Sequence, residues 1–205
     1  MGIVLKTAAD PVQVLAILSV EDVKKELRIR YDVEDELIEK KILAAYDWLA
    51  GPNGWLNRPL LSSTWTYTGT EFADPITMPV IPLISVSSIK YWTGGVLTTL
   101  APSVYDVDRD LGNIYLKSGQ SWPTELDDVP DSVEIEFIAG AGLGTGADIK
   151  ALHPAIPEAL SKLACDYFRH REDTAADSRV SDVNKAVVND VKRIAGRYKL
   201  YRALA

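Results

Sequence analysis

At 205 residues, the chain is long enough for one good hydrophobic core, or for one core plus a smaller appendage. Its 47% hydrophobic and 25% charged content is that of an ordinary globular protein. No apolar run approaches the roughly 18 residues of a membrane span. The net charge of −7 argues against a surface that binds nucleic acid throughout, because DNA affinity comes largely from cations set against phosphate.

The opening Met1-Gly2-Ile3-Val4-Leu5-Lys6 lacks the layout of a secretion signal, so folding in a cytoplasm is expected. Residues 1–18 are apolar but aperiodic and carry Pro11, which predicts an extended N-terminal arm. Ser19 then has the chemistry of an N-cap, with Glu21 and Asp22 where carboxylates suit the helix dipole. A short amphipathic helix to about Ile29 follows. A second, from Glu34 to Ala50, carries Leu37, Ile38, Ile42, Ala45, Trp48 and Leu49 at helical spacing. Gly51-Pro52-Asn53-Gly54 ends it.

From Leu60 to Ala139 the pattern changes to short β-rich runs broken by Pro and Gly. They are Ser63–Thr68, Ile84–Trp92, Val96–Leu100, Tyr105–Val107, Ile114–Leu116 and Val133–Ile138. Gly94-Gly95 suits a two-residue hairpin turn, and Val133-Glu134-Ile135-Glu136-Phe137 alternates as a sheet with one wet face would. Helical periodicity returns after Pro154, with Ile156, Leu160, Leu163, Ala164, Tyr167 and Phe168 in one stripe ending near Glu172. Asp173–Ser181 reads as a polar linker before a last amphipathic helix.

The expected fold class is therefore α+β: a helical core of about four helices, with a small, mainly antiparallel β insertion between helices 2 and 3. The corresponding domains are an arm over 1–18, a helical core over 19–58 and 150–173, a β insertion over 59–149, and a linker with a basic amphipathic helix over 174–205.

Chemistry is sparse. Gly140-Ala141-Gly142-Leu143-Gly144-Thr145-Gly146 sits between a strand and a helix but misses the dinucleotide-binding register, so a connector is the better account. Asp106-Val107-Asp108-Arg109-Asp110-Leu111-Gly112 resembles a calcium loop, yet Leu111 and Lys117 stand where a Gly and a Glu belong. That mismatch favours a turn between strands. Cys165 is alone, which excludes an internal disulfide, and it lies five residues from His170, off its helical face. His153, before Pro154, reads as the start of a helix. Asp127, Asp128 and Asp131 cluster in a Pro-bounded loop where solvation is expected. No catalytic residue, metal site or cofactor is expected.

The sharpest local signal is at the C-terminal end. From Ala175 to Ala205 there are seven Lys/Arg against three Asp/Glu, a local +4 that leaves −11 on the remainder. Val183, Val187, Val191, Ile194, Tyr198 and Tyr201 step by three or four, accompanied by Lys192, Arg193, Arg197, Lys199 and Arg202. Two readings stand: a helix whose apolar face lies in a partner's groove, or a fourth helix packed on its own core with a solvated basic edge.

Taken in order, these segments resemble the head–tail connector (adaptor, or head-completion) proteins of tailed phages. The resemblance begins with Ser19-Val20-Glu21-Asp22-Val23-Lys24-Lys25-Glu26-Leu27-Arg28-Ile29 and Glu34-Asp35-Glu36-Leu37-Ile38. It runs through Leu83-Ile84-Ser85-Val86-Ser87-Ser88-Ile89-Lys90-Tyr91, Tyr105-Asp106-Val107-Asp108, Gly112-Asn113-Ile114-Tyr115-Leu116, Ser121-Trp122-Pro123, and Val133-Glu134-Ile135-Glu136-Phe137 with Ala139-Gly140. It ends with Pro154-Ala155-Ile156-Pro157-Glu158-Ala159-Leu160, Tyr167 and His170-Arg171-Glu172, covering roughly Ser19 to Asp173.

The resemblance implies a non-enzymatic virion protein at the portal vertex or neck, made in the host cytoplasm. It would form a ring, typically dodecameric, that extends the DNA channel beneath the portal protein and docks a stopper or tail-completion protein. DNA would pass through without specific binding, and no membrane is involved. The C-terminal segment would reach the portal through Val183, Val187, Val191, Lys192, Arg193, Ile194, Arg197, Tyr198, Lys199, Tyr201 and Arg202. The alternative function is a DNA-binding packaging component that uses the same basic helix, with binding that falls steeply as salt rises.

Overall fold

The computed structural model describes residues 2–51, 53–142, 144–170 and 178–201, and for 178–184 the backbone only. The chain divides into a β unit, Met1–Ala8 with Ser62–Gly142, and a helical unit, Ala9–Leu61 with Leu143–Ala205.

The β unit contains β1 (Gly2–Thr7), β2 (Ser63–Gly69), β3 (Ile76–Thr77), β4 (Leu83–Thr93), β5 (Val96–Thr99), β6 (Tyr105–Asp108), β7 (Asn113–Leu116) and β8 (Val133–Ala139). Five strands form one sheet in the order β1-β2-β8-β4-β5, and three form another in the order β3-β7-β6. Every pairing is antiparallel.

The central strand is β8. Its alternation sends Val133, Ile135, Phe137 and Ala139 inward and leaves Glu134 and Glu136 half-buried on the other face. Trp65 on β2 lies opposite Phe137, and Ile89 on β4 opposite Ile135, which fixes the register through apolar cross-strand pairs. Residues of both sheets, including Trp65, Ile89, Ile114 and Phe137, share one hydrophobic core. Between β4 and β5, Gly94 and Gly95 have φ of +56° and +75°, the left-handed pair that a tight hairpin demands.

In the helical unit, α1 (Pro11–Ile17), α2 (Val20–Leu27) and α3 (Asp35–Ala50) come from the first part of the chain. The later part supplies α4 (Gly146–Leu152), α5 (Ala155–Arg169), α6 (Ser178–Ala195) and a 3-10 turn, Gly196–Tyr198. Helix α5 packs on α2, α3, α4 and α6, and α1 packs on α3 and α4.

Ser19 closes a capping box on α2 with Asp22, as its place in the sequence suggests. The turn from α2 to α3 is organised around a buried ammonium. Lys24 Nζ lies 2.6 Å from Asp32, 2.9 Å from Asp35 and 3.5 Å from Glu21. The hydrogen bonds it donates to Asp32 and Asp35 hold its pKa well above the usual lysine range. Tyr46 accepts a hydrogen bond from Leu61 N–H at 3.1 Å, and burial pushes its phenol up to about 12.

Four helices around a small β insertion is not the architecture found. The described residues hold six helices and eight strands in two antiparallel sheets, a mixed α+β fold. The difference arises in short elements. Residues 1–18 hold β1 and α1 rather than an extended arm. Pro11 begins α1 instead of breaking a helix, since the first helical position needs no N–H donor, and Asp10 caps Val12 N–H at 2.9 Å. The seven-residue α4 is too short to display a periodic stripe, and glycines precede it. The linker expected over 173–181 falls partly outside the described residues, while 178–181 already belong to α6.

Candidate assembly surface

The stripe on α6 divides between core and surface. Val191 and Ala195, one helical turn apart, and Tyr198 in the following 3-10 turn are buried, and α6 packs on α5. Val187 and Ile194 are half-buried. Val183 lies within the helix, with its side chain outside the described residues, and Arg202 lies outside them altogether. Removing 182–205 would strip at least Val191, Ala195 and Tyr198 from the helical core, so a chain cut at 182 does not keep that unit intact.

The basic residues are placed individually. Arg193 is exposed and pairs with Asp190 at 3.2 Å, an acid that also lies 4.0 Å from Lys162. The Arg197 guanidinium sits 4.8 Å from the centre of the Tyr198 ring and donates to its hydroxyl at 2.6 Å. That hydroxyl is 3.3 Å from His153 Nδ1, and the two rings meet edge to face at 5.6 Å. Lys199 Nζ lies 4.3 Å from the centre of the Trp55 ring and 5.7 Å from that of Tyr201.

Backbone bonds secure the same segment. Leu200 N–H donates to the Leu56 carbonyl at 2.9 Å, and Asn57 Nδ2 donates to the Leu200 carbonyl at 3.4 Å. Tyr201, at 77% exposed, is the aromatic the chain end leaves open to solvent. Trp55, Asn57 and His153 were not legible as partners of this segment, because each contact spans a long sequence separation and carries no local pattern.

Elsewhere, the suggestive motifs resolve into turns and caps. In the glycine-rich stretch, Gly142 and Gly144 have φ of +66° and +92°, and Thr145 closes a capping box with Asp148 on α4. Gly146 N–H donates to Gln13 Oε1 at 2.9 Å, and a Cβ there would overlap the Gln13 carbonyl oxygen. Asp108 accepts from Asp110 and Leu111 N–H at 3.1 and 3.0 Å, tightening the β6–β7 turn. Asp127 accepts from Gly95 N–H at 2.8 Å and so braces the β4–β5 hairpin.

Cys165 is buried. Desolvation pushes its thiol up, and the nearby Glu26 adds to that, so the reactive thiolate is disfavoured. Glu26 itself is hydrogen-bonded to Ser161. His170 Nδ1 lies 3.1 Å from an Asp166 carboxylate oxygen, an i,i+4 pair at the end of α5. Among the described residues, no group of three His, Cys, Asp or Glu is placed to hold a metal ion. No helix there is long and apolar enough to cross a membrane.

No family model matches the chain, and no curated protein matches it. Solved structures do. A chain in the neck of a native gene transfer agent (GTA) particle, computed with C12 symmetry, superposes with a TM-score of 0.66 at 22% identity. A chain in the neck of an empty GTA particle, computed with C6 symmetry, gives 0.65 at 23%. A chain of the native GTA virion gives 0.65 at 23%. In all three the match covers 100% of this chain and 98% of the other. Such a likeness establishes a shared fold over the whole length, both units included.

Proposed function

We propose that this protein is a structural head–tail connector subunit in the neck of a tailed phage or phage-like particle. The observation that carries the proposal is the end-to-end match to neck chains, which extends over the β unit, the helical unit and the C-terminal segment alike. The ordered resemblance of Ser19 to Asp173 to head–tail connectors points the same way from sequence alone. Fold alone does not assign function, so the burden rests on assembly and not on any cleft.

In the finer reading, the chain is an adaptor that forms a ring beneath the portal protein, extends the DNA channel and presents a surface to a stopper or tail-completion protein. Rotational symmetry of that kind requires a heterologous interface that closes on itself. The solvent-facing side of α6 and the chain end, with Lys192, Arg193, Arg197, Lys199 and Tyr201, is the portal-docking surface in this reading. Val191, Ala195 and Tyr198 hold that surface to the helical unit. An overall charge of −7 suits a channel through which DNA slides without sticking.

DNA-filled heads lacking this protein provide the test. The purified chain should add a fixed number of copies at one vertex and retain the packaged DNA. A variant carrying Arg193→Glu and Tyr201→Ala should fold normally and occupy few heads. Binding to naked duplex DNA with steep salt dependence, and no binding to heads, would instead favour the packaging-component reading.

A further inference from the structure

The five-stranded sheet ends in β1 on one side and β5 on the other, and among the described residues no further strand lies outside either. Each edge is apolar and exposed. Ile3 and Val4 are 39% and 58% accessible, and Val96 and Leu97 are 62% and 37%. Proteins usually guard such edges with charge, proline or a bulge. Here Gly2–Leu5 and Val96–Thr99 carry no charge at all. Lys6 and the irregularity of β1 fall only after Leu5. Two stretches of four uncharged residues are thus left open.

The topology makes these edges complementary. Every neighbour in β1-β2-β8-β4-β5 is antiparallel, so strand direction alternates across the sheet and β1 and β5 run the same way. A second copy related by a rotation, as a closing ring demands, would lay its β1 along the first copy's β5 as a parallel pair.

The faces also match. Leu5 and Tyr91 pack toward the core, which puts Ile3 on the inner face of β1 and Val96 on the inner face of β5, opposite Thr93. Val4 and Leu97 then take the outer face, where Leu97 lies opposite Trp92. Each edge presents aliphatic carbon on both sides of the sheet.

We infer that neighbouring subunits join through these edges, the β5 edge of one copy pairing in parallel with the β1 edge of the next to continue the sheet around the ring. The inference rests on the ring reading above and names the contact that closes it. Closure pairs both edges of the five-stranded sheet, so neither β1 nor β5 is left open in the finished ring.

A disulfide trap tests the contact. The full-length chain with Val4→Cys and Leu97→Cys is oxidised and run on a non-reducing gel, beside each single variant and beside mass photometry of the unmodified chain. The expected result is a ladder of covalent oligomers from the double variant only, ending at a closed ring, while Val96→Lys shifts the unmodified ring to folded monomer. Rings in mass photometry without a ladder would overturn the edge contact and leave the ring intact. No assembly and no ladder at any concentration would overturn both, and a ladder from either single variant would overturn the head-to-tail arrangement.

Discussion

The β unit and the helical unit hold themselves together by different means, and they expose different things. In the β unit, β8 pairs on both sides with strands distant in sequence, and the core is drawn from both sheets. Its order depends on non-local apolar pairing, and its uncovered surface includes aliphatic edge strands. The helical unit packs long helices over a core that includes Ile38, Ile42, Leu49 and Leu160, and adds local devices: capping boxes at Ser19 and Thr145, and the buried Lys24 ammonium among Glu21, Asp32 and Asp35. It leaves open the basic side of α6 and Tyr201, together with the isolated apolar side chains of Val12, Tyr31, Val33 and Leu152. In a ring subunit the two surfaces suit two tasks: apolar edges for bonding to identical neighbours, and a basic helix for meeting a different protein.

Substitutions sharpen the contrast, beginning with the largest effect. Phe137→Ala empties a fully buried site in the sheet core and should cost about 3–5 kcal/mol, read as a lowered urea midpoint at constant slope. Gly146→Ala forces a methyl against the Gln13 carbonyl where α1 meets α4, and should cost about 1–3 kcal/mol in the same assay. Ser19→Ala removes one local cap and should cost about 1 kcal/mol. A core residue of the sheet is thereby set against one helix-to-helix contact and one local cap of the helical unit. A Ser19→Ala effect as large as that of Phe137→Ala would break the comparison.

The smallest effect concerns Asp22, whose pKa is held below the ordinary 3.8 chiefly by the hydrogen bond from Lys150. Both side chains are partly exposed, so solvent screening limits the pair to about 0.2–1 kcal/mol. Because the folded pKa is depressed, this contribution is present above 3.8 and is lost as pH falls through the folded value. The stability gap between the protein and Asp22→Asn should therefore be constant near neutral pH and close on acidification. A gap that widened in acid would contradict the assignment.

Long periodic segments were legible in the sequence, and short or edge elements were not. Helix α3, the stripe of α5 and strand β8 follow from spacing, because each buries a continuous face, while β2 and β4 follow from β-rich composition between Pro and Gly breaks. Strand β1 escaped because Gly2-Ile3-Val4-Leu5 does not alternate in polarity: it lies at an edge and buries little. Helices α1 and α4, at seven residues each, give less than two full periods, and β3 has only two residues.

For the candidate site, the stripe of α6 was visible in the sequence. Its division into buried Val191, Ala195 and Tyr198 against exposed Arg193, Arg197 and Tyr201 was not. Periodicity says that a face is apolar without saying whether the chain itself or a partner covers it.

The most direct test of the account is cryo-electron microscopy of particles that carry this chain with a small density tag. A rotationally symmetric ring of the tagged chain at the head–tail junction, enclosing the DNA path, is the predicted result. A tag distributed over the capsid lattice or along the tail tube, or missing from purified particles, would contradict it.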